Sequence, residues 1–367
     1  MEGQWIGTVS SGENQGLAII DVDKEVHQFR GTARLFIEGE PGVTCEFETG
    51  NTGPEFKCEN VLLHWIPEGQ PVILDAPQIK ERHPDYDFPQ TVSLRFSPMD
   101  QELEVEWSTN LGSSGKAVLH RSQADKPSSL TVLPIMDWQE FKKFALEQQA
   151  RRYVYRGQAE AFKLRTLFHR SHRKDLVKYA IVDIPLAYRT LMARTKHLFD
   201  LSKPEQFGAF WNLLQHHGYP TPLLDWTYSP FVAAFFAYRK RQIQAAPSNK
   251  VRIFAFDKLS WSTDFPQLQA VNFAQLHFSI LEALAIENDR ALPQQSLSTL
   301  SNTDDIEAYI RSCEETTGKT YLSAIDLPAD QRRDVMVELS LMGITAGSLF
   351  PGLDGACEEL KGRMFHP

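Results

Sequence analysis

Arg156 closes the apolar run Tyr153-Val154-Tyr155 and is followed by Gly157, so a strand would hold its guanidinium where the backbone turns or approaches another group closely. A guanidinium fixed in this way offers a planar fork to a diphosphate or a carboxylate. The alternative is a buried structural ion pair, with Asp225 as its partner. His216 and His217 precede Gly218; an imidazole titrates near neutral pH and can act as acid or base or polarise a hydroxyl. Neighbouring residues on a helix point about 100° apart, so at most one of the two faces a common site. Glu287 and the pair Gln294-Gln295 lie in the polar stretch Ile286–Ser296, which is either within the site or a solvated loop. Trp226 and Tyr228 are expected to pack rather than to stack on a ligand. Asp225 either caps a helix starting near Pro230 or orients a histidine. His169 and His172 sit among Arg170, Arg173 and Lys174, which disfavours a metal and suits a phosphate or a solvated helix end.

These residues need a scaffold, and the 367-residue chain is long enough for two domains. A hydrophobic fraction of 42%, with 23 Phe and 7 Trp, supports sizeable cores. Over residues 1–125 short runs bordered by Gly, Pro, Asn and Asp predict strands at Gln4–Val9, Gly16–Asp21, Gly31–Ile37, Val43–Glu48, Val61–Trp65, Thr91–Phe96, Leu103–Ser108 and Lys116–His120, with no helical periodicity. An all-β sandwich or small barrel follows. A polar linker at Arg121–Ser129 leads to a mixed α and β domain over residues 130–367. There Asp137 and Glu140 predict a capping box, helices dominate to about residue 240, Val251–Phe256 reads as a strand, Phe273–Ile286 as a helix, and Asp334–Leu341 as either.

Charge is divided unevenly within the net −9: residues 1–130 hold roughly 21 acids against 10 bases, and residues 151–252 roughly 18 bases against 6 acids. The basic region either attracts the phosphates of a dinucleotide or nucleic acid or pairs with the acidic domain. The four cysteines, Cys45, Cys58, Cys313 and Cys357, show no metal-ligand spacing, so neither a metal site nor a disulfide framework is expected. No leader pattern and no stretch of about 18 apolar residues occurs, which favours a cytoplasmic chain that does not span a membrane. Gly-x-Ser-x-Gly, Walker, Rossmann and HExxH patterns are absent, so hydrolase, P-loop and dehydrogenase chemistries lack their defining residues.

Three stretches in order carry a resemblance. They are Tyr153-Val154-Tyr155-Arg156-Gly157-Gln158, followed by Leu164, Leu167 and Arg170; Gln215 through Thr227, running into Ser229-Pro230 and the apolar Phe231–Tyr238; and Gly343-Ile344-Thr345 with Leu349 through Gly355. Residues 150–365 thereby resemble the FRG domain family, named for a Phe-Arg-Gly motif in which Tyr155 here replaces Phe. Pro222 stands where the family usually has Arg. The order of motifs also looks like that of ADP-ribosyltransferases, which makes the expected fold α+β with an ADP-ribosyltransferase-like second domain. That resemblance implies NAD as cofactor, held by Tyr155, Arg156, Gly157, Arg170, Gln215, His217, Thr227 and Ser229. Catalytic roles would fall to Arg156, His216 and Gln295 or Glu287, because positive charge develops on the ribose as its bond to nicotinamide breaks. Arg156, the Gln215–Ser229 segment and Gln294/Gln295 are thus expected to build one site. The implied function is ADP-ribosyl transfer to a nucleic acid or protein acceptor, as in a bacterial toxin or anti-phage effector. The competing readings are a non-catalytic nucleotide- or nucleic-acid-binding module, and a scaffold in which these segments are core.

Overall fold

Side chains in the N-terminal region alternate inward and outward with the period of two that a pleated strand imposes. The computed structural model describes residues 1–11, 14–67, 73–239, 249–270 and 273–365. Its first nine strands are β1 Gly3–Ser11, β2 Asn14–Lys24, β3 Phe29–Ile37, β4 Gly42–Glu48, β5 Phe56–Leu62, β6 His64–Ile66, β7 Thr91–Pro98, β8 Glu102–Thr109 and β9 Ser114–Arg121. They form one antiparallel sheet in the order β5-β7-β8-β9-β1-β2-β3-β4-β6. The sheet curls into a nearly closed barrel, and where β4 and β5 approach, the Cys58 thiol donates to the Glu48 carbonyl at 3.3 Å. Trp5, Ile20, Phe29, Phe47, Phe96 and Leu103 are among the side chains that fill its interior.

Two features of this domain depart from the sequence expectation. The run Val61–Trp65 is divided between β5 and β6, with Leu63 between them. A helix, α1 Ala76–Arg82, also interrupts the strands; Asp75 and Gln78 form its capping box, and Ile79 packs into a satellite core with Trp65, Leu74 and Phe88. Seven residues are too few for the helical period to stand out in the sequence.

The second domain is built on six antiparallel strands in the order β13-β14-β11-β10-β12-β15. These are β10 Tyr153–Gln158, β11 Leu223–Thr227, β12 Lys250–Asp257, β13 Phe278–Leu281, β14 Ser296–Ser301 and β15 Leu322–Pro328. The helices are α2 Trp138–Glu147, α3 Leu167–Arg170, α4 Leu176–Lys178, α5 Ile184–Leu191, α6 Pro204–His216, α7 Pro230–Arg239, α8 Lys258–Asp264, α9 Ile306–Thr317, α10 Arg332–Leu341, α11 Ala346–Leu349 and α12 Leu353–Phe365. Helices α2, α7 and α10 share a core with Tyr155, Ile253, Ala255 and Ile325 on one face of the sheet. Trp261 of α8 and Ile306 and Ile310 of α9 pack with Val154, Trp226, Phe254 and Phe256 on the other. The α3–α6 segment covers Leu223, Leu281 and Leu300 beside Phe210 and Trp211. No helix among the described residues is long and apolar enough to cross a membrane.

Asp137 caps α2 by accepting from the Glu140 amide at 2.9 Å, while the Glu140 carboxylate reaches the Met136 amide, one residue beyond the box expected. Asp334–Leu341 lies in a helix. The helix expected at Phe273–Ile286 is instead the short edge strand β13 between loops, since four residues, Phe-Ser-Ile-Leu, are too few to separate the two periods. Strands β11, β14 and β15 were not anticipated.

The two domains meet through buried polar contacts. Gln4 of β1 donates to the Asn302 carbonyl at 3.0 Å and accepts from the Asp304 amide at 2.8 Å. Arg34 is ion-paired with Asp21 and donates to the Ala274 carbonyl at 3.0 Å. Asp23 accepts from the Asp175 amide at 3.1 Å. The linker is docked as well: the Ser128 hydroxyl donates to Glu307 at 2.8 Å, and Val132 bridges to Ala324 of β15.

His169 lies at this junction, 1% exposed, its Nδ1 2.7 Å from the Thr166 hydroxyl and its Nε2 without a partner among the described residues. Burial pushes its pKa down to about 3, against the pull of Asp304. Between about pH 6.5 and 4 the unfolded chain therefore binds a proton at this residue that the native chain does not, and stability falls as the pH falls. In chemical denaturation across that range, His169→Gln is expected to reduce the slope of stability against pH by about 1.4 kcal/mol per pH unit. An unchanged slope would show that the native imidazole is protonated.

Candidate functional site

The central sheet of the second domain opens at one point. β10 pairs with β12 over six consecutive positions and β11 with β14 over five, yet β10 and β11 pair only at Tyr155 and Thr227. Beyond that pair Arg156 spans the opening, its Nη1 donating to the Asp225 backbone carbonyl at 2.7 Å. Its Nε is buried without a partner among the described residues. The ion pair with Asp225 does not form, because the Asp225 carboxylate is engaged by the Gln215 amide. Burial pushes the Arg156 pKa down to about 10, with Asp225 opposing and Arg170 adding to the shift, so the group remains cationic at neutral pH.

The residues of the second motif brace this opening. Gln215, in the last turn of α6, donates to Asp225 and accepts from the Thr221 hydroxyl, tying the end of the helix to β11. His216 is half-buried; its Nε2 has no partner among the described residues, and burial lowers its pKa. Arg290 donates to the His216 carbonyl at 3.3 Å. His217 is the exposed residue that ends α6 before Gly218 turns the chain at φ +82°, so only His216 of the pair is directed inward. Asp225 lies within β11 and caps no helix; Ser229 does so, its hydroxyl accepting from the Val232 amide at 3.3 Å.

Several expected ligand contacts are instead packing. Tyr155 is 2% exposed in the core with α7. Gly157 has its backbone against α7, where a Cβ would lie 1.9 Å from the Ala233 carbonyl oxygen, so its close approach is to a helix and not to a ligand. Thr227 is buried, donating to the Gln294 carbonyl at 2.7 Å and accepting from the Ser229 amide at 3.0 Å. Gln294 is also buried, its amide donating to the Leu349 carbonyl at 2.8 Å, which joins the third motif to the second. Trp226 packs as expected, 5.6 Å from the Phe256 ring.

Gln295 differs from its neighbour. It is exposed, in the left-handed region at φ +47°, and it lines an open cavity of about 380 Å³ with Asn212, Tyr228, Glu282, Ser296 and Ser298 among others. Tyr228 forms a wall of that cavity, with the Arg151 guanidinium 4.3 Å and the Lys258 ammonium 5.4 Å from its ring centre. Glu287 is absent from the lining: it is exposed at φ +53° and accepts from the His197 amide. The one carboxylate lining the cavity among the described residues is Glu282, 2.7 Å from Lys258 Nζ. Arg156 and His216 do not line it, so the expected residues fall into two neighbouring groups joined by β11. The sequence reading missed Glu282, Asn212 and Arg151; the Asn212–Asn288 hydrogen bond across 76 residues leaves no local signal.

The basic stretch is largely neutralised within the fold. Arg152 pairs with Asp257, Lys163 with Asp305, Arg165 with Asp304, Arg239 with Glu358 and Arg252 with Asp326. Arg173 and Lys178 pair with Asp23 and Glu25 of the barrel. Arg156 and Arg170 reach no carboxylate among the described residues, nor do the exposed Arg189, Arg194 and Lys196; Lys240 and Arg241 lie outside the described residues.

The FRG domain family model matches residues 151–246, so this region of the chain carries an FRG domain. The match takes in β10, the opening, or fork, between β10 and β11, then β11 and α7, and the strands from β12 onward complete the sheet outside it. No curated protein and no solved structure matches the chain.

The contact at Gly157 gives a direct test of the fork's rigidity. Gly157→Ala is expected to destabilise the protein by about 2–3 kcal/mol through overpacking against α7, read from the denaturation midpoint. A midpoint unchanged from wild type would mean that α7 does not rest on β10 as described.

Proposed function

We propose that the FRG-containing domain binds NAD and transfers ADP-ribose to an acceptor. The observation that carries the reading is the Arg156 guanidinium, held in the opening between β10 and β11 with no carboxylate among the described residues, in a region whose other cations are mostly paired. Arg170 adds a second positive charge close enough to lower the Arg156 pKa. Two such cations suit the diphosphate of a dinucleotide. Bond cleavage at the nicotinamide would then fall at the neighbouring cavity, where Gln295 and Glu282 are the groups able to face positive charge developing on a ribose. His216, neutral through burial, could accept a hydroxyl proton. The exposed Arg189, Arg194 and Lys196 favour a nucleic acid as acceptor, with protein the other class. Toxin or anti-phage roles in a bacterial cytoplasm are settings in which such an activity would serve.

A second reading has an observation of its own. Glu287 is committed to the His197 loop, and the late position next to Thr227 is held by Gln, not by a carboxylate. That favours a module that binds a nucleotide or nucleic acid without breaking a bond.

Incubation of purified protein with labelled NAD and DNA, RNA or cell lysate separates the two. Nicotinamide release or label transfer is expected from the wild type, falling by at least about a hundredfold in Arg156→Ala of unchanged circular dichroism. No turnover by the folded wild type with any acceptor would contradict transfer and leave binding as the function.

A further inference from the structure

We propose that Asp23, in the N-terminal barrel, is a positioning residue for anion recognition in the FRG-containing domain and acts through Arg170; this rests on reading Arg156 as an anion site. Asp23 is 2% exposed at the end of β2, and both its oxygens are committed to the second domain. Oδ1 accepts from the backbone amides of Lys174 and Asp175, and Oδ2 from the Arg173 guanidinium. Arg173 extends the grip by donating to Asp183 at 2.9 Å. Lys174, 4% exposed, donates from Nζ to the His169 carbonyl at 2.8 Å and so holds the last turn of α3. Arg170 is in that turn.

The other end of the same segment is held by the same barrel. Gln4 fixes the Asp304 backbone, and the Asp304 carboxylate takes Arg165 in two bonds of 2.6 and 3.0 Å. Arg165 stands two residues before α3. Between the two grips, α3 is seated on the second motif by the Phe168 amide, which donates to the Thr221 carbonyl at 3.1 Å. β1 and β2 therefore clamp Arg165–Asp175 at both ends, and Arg170, whose charge reaches Arg156, pairs with no carboxylate among the described residues. A side chain as long as arginine contributes to anion binding in proportion to how little freedom it must lose on contact. The barrel supplies part of that restriction from outside the FRG domain, by fixing the backbone from which the Arg170 side chain projects.

The test uses ADP as the probe and the full chain, comparing wild type, Asp23→Asn, Arg170→Ala and the double variant by titration calorimetry at fixed ionic strength. Arg170→Ala is expected to weaken ADP about tenfold, Asp23→Asn by a similar factor, and the double variant no more than Arg170→Ala alone. Arg173→Gln, a change at a partly exposed residue that loosens the same clamp, is expected to follow Asp23→Asn and serves should that variant not fold. Hydrogen exchange of residues 167–175 is expected to rise in both, with β10 and β11 unchanged. Multiplying losses in the double variant, or unchanged exchange over 167–175, overturns the coupling. ADP failing to bind the wild type overturns the anion site itself, whereas ADP binding with the non-additive pattern upholds the coupling even if NAD is never turned over.

Discussion

A guanidinium held in the seam of a β-sheet is the constraint around which the second domain is arranged. Burying a cation without a carboxylate is costly, and one hydrogen bond to a backbone carbonyl offsets only a fraction of that cost. The fold keeps Arg156 in place by surrounding it with groups already committed elsewhere. Gln215 occupies the Asp225 carboxylate, α7 sits directly on Gly157, and a single strand pair closes the sheet beside it. What remains is a positive charge with unused donor capacity, a state that an anionic ligand would relieve.

The same constraint explains why the three motif stretches are far apart in sequence. The first supplies the cation, the second supplies the strand it leans on and the helix end that braces it, and the third holds Gln294 through the Leu349 carbonyl and carries Phe350 beneath Arg290 and Arg239. The barrel is not an appendage to this arrangement. Acidic groups of the barrel are drawn into the junction, where Asp23 and Glu25 meet Arg173 and Lys178, so the opposite charges of the two halves face each other across a shared interface.

Much of the barrel was legible because half-buried strands print their period of two directly into the sequence. The motif residues were legible as a set, and the fork could be anticipated as far as a strand ending in Arg156 and Gly157. Roles within the set were not. Tyr155, Gly157, Thr227 and Gln294 stand beside polar or catalytic-looking neighbours, yet they pack, and which of two adjacent glutamines faces solvent depends on a positive φ at Gln295 that no spacing encodes. β14, with the sequence Ser-Leu-Ser-Thr-Leu-Ser, buries polar side chains on both faces because Asn212 and Trp226 supply hydrogen-bond partners for Ser298 and Thr299 from other elements. A partner 73 or 86 residues away cannot be read from local pattern.

The most direct test of Arg156 as an anion site is the crystal structure of the protein grown with ADP. Diphosphate oxygens are expected within hydrogen-bonding distance of the Arg156 guanidinium, at the opening between β10 and β11. ADP bound elsewhere, with Arg156 still resting only on the Asp225 carbonyl, would contradict that role.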